Sequence, residues 1–482
     1  MGNKKEDVSF IQHFLNVGIG TFINLLLGFI STPLITRIAD PSEYGQLSIF
    51  NAYADIALAF LFIGLDRGIV RYFYSEEKLE DKKSLLKLCF LAPMASAFAV
   101  LILYLILSGF GAFNTKLPQY VMVLLFTYVI VCIWNRLSLL MLRLTYQTKR
   151  YSFVTVIQKM VYVLIIVFFA LGIRGQYLLM LITALLVSTF AGAVFASIYT
   201  KEFWSFRHIS IPSNSKEILR YSIPFVAYSC MDALLNSMDK LSIDYFLADY
   251  ETGIYSSALS LVSIFMVVKT IFDTIWVPMQ TEQIVKNPDD RSFIQKGNRY
   301  VTIILMFMCI NVIMFKDLLC YILGERYRGA NVIIPFLIFG TIMYAISDTA
   351  ISGIEYSKNS YLHALISLAA LGVNFCGNTY MVPRIGPEGA ALATCLSFAV
   401  YLVLRIYFSN KYYYIDYGVK KLTVICFAVF GFSFINTFYD LSVYTVIAYF
   451  VCMVLFVVLY IRDIKEMIVY GVDILKKSLG KS

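Results

Sequence analysis

Several ionisable side chains stand deep inside long apolar stretches of this chain: Asp55, Arg136, Lys159, Asp232, Lys269, Asp273 and Asp348. A charge in hydrocarbon is costly, so each such residue marks a pathway, a wet cavity or an ion pair by default. The cations Arg136, Lys159 and Lys269, with Arg37 and Lys240 nearer the ends of their stretches, would hold an anion through charge-assisted hydrogen bonds, phosphate above all. The acids Asp55, Asp232, Asp273 and Asp348 would balance that charge or bind a coupling cation, H+ or Na+. Two plainer readings stand beside this one. Lys269 and Asp273 are four apart and neutralise each other if their segment is helical. Arg136 reaches an interface if its long stem snorkels. Lys159 lies further inside its stretch, and a water-filled cavity is the better account of it. Asp66, Asp239, Asp244 and Glu355 fall closer to stretch ends.

Other chemistries lack their residues. The histidines His13, His208 and His363 share no metal-ligand spacing. No HExxH, GxxxxGK[ST] or GxSxG motif occurs, which removes the usual grounds for a hydrolase or a nucleotide-driven enzyme. No metal, no cofactor and no enzymatic activity are expected. The nine cysteines form no CxxC pair and read as small buried apolar residues. Many of the 35 tyrosines are expected in interfacial belts, as at Tyr412-Tyr413-Tyr414. The formal charge of +9 is spread between apolar blocks rather than gathered on one surface, so nucleic acid is not an expected partner.

The elements that carry these residues must be membrane helices. The chain is 59% hydrophobic and 15% charged, with mean hydropathy +0.74, whereas soluble domains are nearer a quarter charged. Its apolar blocks are long enough to cross a bilayer, and about fourteen are expected. They fall at 11–36, 45–66, 84–108, 118–142, 152–173, 176–200, 217–247, 253–280, 298–315, 331–353, 359–382, 387–408, 420–438 and 442–461. The first block follows a charged N-terminus with no small-residue cleavage site, so no cleavable signal peptide is expected. Of the 40 Lys and Arg, about 29 fall on the side of the N-terminus, about 8 on the other and about 3 within spans, which predicts both termini in the cytoplasm. The tail after Arg462 has the pattern of a short amphipathic helix on that surface. The outer loops are too short to carry a catalytic cluster.

Twelve spans divide into two sets of six. The expected organisation is an N-lobe over 1–200, a polar linker over 201–216, a C-lobe over 217–410, accessory helices over 411–461 and a tail over 462–482. Pro33 and Pro224 take comparable places in the first helix of each lobe, where proline permits a bend. The turn Arg37-Ile38-Ala39-Asp40-Pro41-Ser42-Glu43-Tyr44-Gly45 joins two apolar helices of the first lobe. Ala248-Asp249-Tyr250-Glu251-Thr252-Gly253 repeats it in the second, with Glu43 and Gly45 matching Glu251 and Gly253. A duplicated membrane hairpin is the mark of a two-lobed transporter.

These stretches also carry a resemblance. Asp40-Pro41, Glu43-Tyr44-Gly45, Gly64-Leu65 and Arg71-Tyr72-Phe73 lie in the first lobe. Tyr221-Ser222-Ile223-Pro224-Phe225, Asp239-Lys240, Gly253-Ile254-Tyr255-Ser256, Leu323-Gly324-Glu325-Arg326-Tyr327, Val382-Pro383 and Gly389-Ala390-Ala391 follow. In order and spacing they resemble the polysaccharide-export branch of the MOP superfamily, the Wzx-type flippases. The resemblance implies an all-α fold of fourteen spans with an alternating cavity between two six-helix lobes. It implies movement of an undecaprenyl-diphosphate-linked oligosaccharide between leaflets, with the lipid-linked glycan, membrane lipid and glycan polymerase or assembly proteins as partners. Related lipid II flippases carry an Arg-Asp pair midway along the first helix. Gly28-Phe29-Ile30-Ser31-Thr32 stands there instead, which argues against lipid II as the passenger. The nearest rival is a MATE-type cation-coupled exporter. A membrane polymerase or ligase fits less well.

Overall fold

The structure, a computed structural model, describes residues 23–478 apart from position 25, the stretches 110–116, 173–174, 267–268, 270–275, 277–278, 281–282, 284–289 and 440–441, and positions 208, 358 and 360. Every regular element among the described residues is helical. Among the described residues eleven helical stretches are long and apolar enough to cross a membrane, and a bent pair taken as one span makes a twelfth. The expected first and eighth spans are described only in part. The chain forms two compact units, residues 1–244 and 245–482.

Unit 1 begins with α1 (Leu26–Ile38), which contains Pro33. The expected nine-residue turn is far shorter. Asp40 caps α2 (Pro41–Leu61), accepting the Ser42 N–H at 3.2 Å, while Glu43 reaches back to the Asp40 N–H at 3.1 Å. This reciprocal capping box, with proline at the first helical position, starts the helix four residues earlier than the apolar pattern does. The second hairpin is only a partial copy. Its helix starts at Asp249, after an Ala248 that has no side chain to cap with.

The second span is not one helix. It breaks after Leu61 and resumes as α3 (Leu65–Tyr72) with a 52° bend. Ile63 and Gly64 both take left-handed backbone, φ +53° and +68°. That conformation is uncommon for a β-branched residue. Gly64 is also pressed against α8 (Ser215–Ser222), where an added Cβ would lie 2.1 Å from the Ser222 carbonyl oxygen. Gly68, one turn on, meets the Ser222 hydroxyl in the same way. These two glycines let α3 lie directly on α8.

The remaining unit 1 helices are α4 (Leu79–Gly109), α5 (Gln119–Leu144), α6 (Thr148–Gly172), α7 (Tyr177–Tyr199) and α9 (Pro224–Phe246). α5 and α6 pack on α7, and α5 also meets α2 and α4. Ile133, Leu137 and Met141 of α5 are fully buried there with Phe50, Leu65 and Leu86. Pro224, which has no N–H to continue the helical ladder, opens α9 two residues after the end of α8. The segment before α8 is tied to α4: the Ser84 hydroxyl donates to the Ser210 carbonyl at 2.6 Å, and Lys87 Nζ donates to that of Ile209.

Unit 2 holds α10 (Asp249–Ser263), α11 (Ser292–Met314), α12 (Lys316–Cys320), a 3-10 turn (Glu325–Val332), α13 (Ile334–Thr349), α14 (Ser352–Ser357), α15 (Tyr361–Ile385), α16 (Pro387–Tyr412), α17 (Val419–Phe438) and α18 (Val443–Ser478). α13 is its central, most buried span, packed by α11, α16 and α17. Three expectations change here. The tail is no separate helix: α18 runs unbroken from the last span to Ser478, since nothing between Ile461 and Lys477 breaks a helix. Tyr413 is not part of an aromatic belt but is buried with Trp276, Ile415 and Tyr417. Cys376 is exposed, unlike most of the other cysteines.

Candidate functional site

Asp55, Arg136 and Asp232, three of the deep charges of unit 1, meet at one cavity of about 340 Å³. Asp55 and Ala59 reach it from α2, one turn apart, and Phe62 from the break that follows. Asp66 and Arg67 come from α3, and Arg136 from α5. Tyr228, Ser229, Asp232, Ala233 and Asn236 line it from α9. The α9 residues fall at i, i+1, i+4, i+5 and i+8, which a helix places on one face. The bend at Ile63–Gly64 is what brings Asp66 and Arg67 here. Had α2 run straight, Asp55 and Asp66 would have risen along one axis toward the end of the span.

Arg136 Nη2 donates to Asp66 Oδ2 at 2.6 Å, and the guanidinium lies 4.9 Å from the centre of the Phe62 ring. Asp66 is nearly buried while about half of the Arg136 side chain is open. The other Asp66 oxygen accepts the Arg67 backbone N–H at 3.0 Å. Asp55 lies within electrostatic reach of Lys240 and Arg136, and Asp232 within reach of Arg67. Asn236 Nδ2 donates to the Asp232 carbonyl at 2.8 Å. A narrow polar hollow walled by apolar helices can take a hydrophilic group that hydrocarbon would strip of its hydration.

The other candidates lie elsewhere. Lys159 is half-buried on α6, 5.0 Å from the centre of the Tyr162 ring. Its stem passes Gly28 of α1 at van der Waals distance from where a Cβ would sit. It has no carboxylate partner among the described residues and does not line the cavity. Arg37 is exposed at the end of α1, and Lys240 is half-buried on α9. Asp273, His13 and His208 lie outside the described residues.

In unit 2, Lys269 and Asp348 form a closed cluster. Lys269 Nζ is 2.5 Å from Asp348 Oδ2. Arg405 of α16 donates through Nη1 to Asp348 Oδ1 and, at 3.3 Å, to Ser347 Oγ. Its Nη2 donates to the Tyr401 hydroxyl at 3.1 Å. Tyr344 lies under Lys269, and Tyr401 under Arg405. Arg405 is only 6% exposed. Its role and that of Arg67 are missing from the sequence reading. Arg405 stands inside a span and was open to the cost-of-burial argument. Arg67 follows an apolar block directly and looks like a loop residue until the backbone bends. Among the described residues no cluster of His, Cys, Asp and Glu could hold a metal ion.

A second ion network stands in unit 2, where Arg299 bonds Asp416 and Asp463, and Lys421 bonds Asp463. It fastens α11, α17 and α18 together at one end. The Tyr417 phenol beside it donates to or accepts from Ser409 at 3.2 Å, and burial pushes its pKa up to about 12.

An all-helical multi-pass bundle with a charge-lined cavity is the architecture of a membrane transporter. Its fold is shared with MOP-superfamily transporters of known structure. A lipid II flippase MurJ in an inward closed conformation matches with a TM-score of 0.69, 12% identity, and coverage of 94% of this chain and 99% of that one. An inward-facing MATE multidrug resistance transporter of the superfamily matches with a TM-score of 0.60, 13% identity, and coverage of 83% and 97%. The profile of the polysaccharide biosynthesis protein family matches residues 11–283, and the chain belongs to that family. Among curated proteins it is similar to the probable low-salt glycan biosynthesis flippase Agl15 of Haloferax volcanii, 23% identical over 48% of this chain and 54% of that protein. It is also similar to the uncharacterized membrane protein MJ1068 of Methanocaldococcus jannaschii, 21% identical over 96% of this chain and 97% of that one.

Proposed function

We propose that the protein is a flippase, not an enzyme, that moves an undecaprenyl-diphosphate-linked oligosaccharide from the cytoplasmic to the outer leaflet by alternating access, in the biosynthesis of a capsule, O-antigen or exopolysaccharide. The observation that carries this reading is the charge-lined cavity among apolar helices in a chain of the polysaccharide biosynthesis family. The sugar and diphosphate need such a hollow, whereas the lipid tail can stay in the bilayer. The naming of Agl15 as a glycan flippase supports the same class.

In this reading the cavity receives the polar head and Arg136 orients it. Lys159, a deep cation of unit 1 with no carboxylate partner among the described residues, meets the diphosphate. Asp55 or Asp232 balances charge or exchanges H+ or Na+. The alternative driving force is the membrane potential, since export of a dianionic head is favoured by an inside-negative potential at about 2.3 kcal/mol per charge per 100 mV. The distribution of Lys and Arg supports the cytoplasmic membrane with both termini inside. In this reading the N-lobe spans 1–200 and the C-lobe 217–410, on either side of the polar linker.

The test is flipping of fluorescent undecaprenyl-diphosphate oligosaccharide in proteoliposomes. Intact protein is expected to move it, and Lys159→Ala and Arg136→Ala to slow it. Export of a soluble organic cation with no movement of any glycolipid would replace this reading by the MATE-type one.

A further inference from the structure

The unit 1 cavity has abundant hydrogen-bonding groups and no surplus of positive charge. Asp55, Asp66 and Asp232 stand against Arg67 and Arg136 in its lining. Each arginine has a carboxylate near it: Arg136 is bonded to Asp66, and Arg67 is within electrostatic reach of Asp232. The nearby Lys240 is itself shared between Asp55 and Asp239. A phosphate or a carboxylate entering here would find each cation already answered and Asp55 and Asp232 exposed toward it.

The remaining lining suits a different ligand. A carboxylate accepts two hydroxyl hydrogens at once, and a guanidinium donates a matching pair. Asn236 and Ser229 add single donors and acceptors on the same face of α9. Tyr228 lines the cavity and is 38% exposed, and an aromatic ring can pack on the C–H side of a pyranose. Ala59 and Ala233 keep the hollow wide enough for a ring. An excess of carboxylates over cations in a partly dry site is an effective way to exclude an anionic ligand while admitting its neutral analogue.

We propose that this cavity is a saccharide subsite that accepts neutral or amino-bearing sugars and rejects uronic acids, with Asp55 and Asp232 as the excluding groups. The proposal rests on the flippase reading and adds to it the charge class of the passenger's sugars. It separates the work in unit 1: Lys159 serves the diphosphate common to all such lipids, and the cavity reads the glycan.

The test compares two polyprenyl-diphosphate tetrasaccharides in proteoliposomes, one of neutral hexoses and one in which two of these are uronates. The intact protein is expected to flip the neutral lipid at least about tenfold faster, the ratio that one unfavourable charge contact supplies. In Asp55→Asn/Asp232→Asn that ratio falls to about threefold or less, whatever happens to the absolute rates. The single variants keep the test open if the double variant does not fold. Lys159→Ala is expected to slow both lipids in the same proportion. Equal flipping of the two lipids by intact protein, or an unchanged ratio in the aspartate variants, overturns the subsite while leaving the flippase standing. Movement of neither lipid overturns the flippase reading and the subsite with it.

Discussion

The cavity of unit 1 and the ion cluster of unit 2 use the same residue types to opposite ends. Asp55, Asp66, Asp232, Arg67 and Arg136 surround a hollow, and several of them remain accessible within it. Lys269, Asp348 and Arg405 close on one another, with Tyr344 and Tyr401 packed against the two cations. The first arrangement leaves charge exposed within a cavity. The second spends its charge on holding helices α13 and α16 and the segment bearing Lys269. A buried ion inside a span is therefore not by itself evidence of a transport site. What separates the cases is whether the charged groups stay exposed within a cavity, as Asp55 and Asp232 do, or close on one another.

This contrast is most severely tested at Asp348. Asp348→Ala removes the carboxylate that bridges the Lys269 and Arg405 cations, and a loss of about 3–5 kcal/mol is expected, read as a large drop in the thermal unfolding temperature in detergent. A variant that kept its stability yet lost transport would place Asp348 with the functional charges and erase the contrast. Next is Gly64→Ala, which must place a side chain at positive φ and against the Ser222 carbonyl. It is expected to cost at least about 2 kcal/mol and, where protein survives, to disturb the Asp66–Arg136 pair. Arg136→Ala should separate function from stability. Its half-open ion pair holds the fold by less than about 1 kcal/mol, while flipping is expected to fall by about tenfold, equivalent to about 1.4 kcal/mol. The smallest effect belongs to Lys421→Ala in the half-exposed network at the end of α17. It should cost under about 1 kcal/mol, and the difference should vanish in high salt.

A pH scan sharpens the description of unit 2. The Tyr417 phenol is raised by burial to about 12 from an ordinary value of 10.0. Its contribution to stability is complete below pH 10 and is lost as pH rises through about 12. Phenolate absorbance of a Tyr417→Phe variant against the parent is expected to show one late-titrating tyrosine fewer.

Much of the fold was legible because membrane helices are written in composition. Long apolar blocks, charged connections and repeated hairpins follow from the cost of bare backbone and charge in hydrocarbon, and those rules act on local sequence. Asp40, Pro41 and Glu43 even record the start of α2 to the residue, once read as a capping box rather than as a polar turn. The deep charges were likewise visible one by one.

Their partners were not visible. Asp66 with Arg136, and Lys269 with Asp348 and Arg405, are separated by tens of residues, and which charges meet depends on how helices pack rather than on spacing along one of them. The bend at Ile63–Gly64 was hidden for a related reason. It is held by contact with Ser222 of α8, and that contact has no local signature beyond a glycine. That charged groups sit inside apolar helices follows from the order of residues alone. Which of them face a cavity and which are consumed in closing a core depends on packing, because burial and pairing are properties of neighbours brought together by folding.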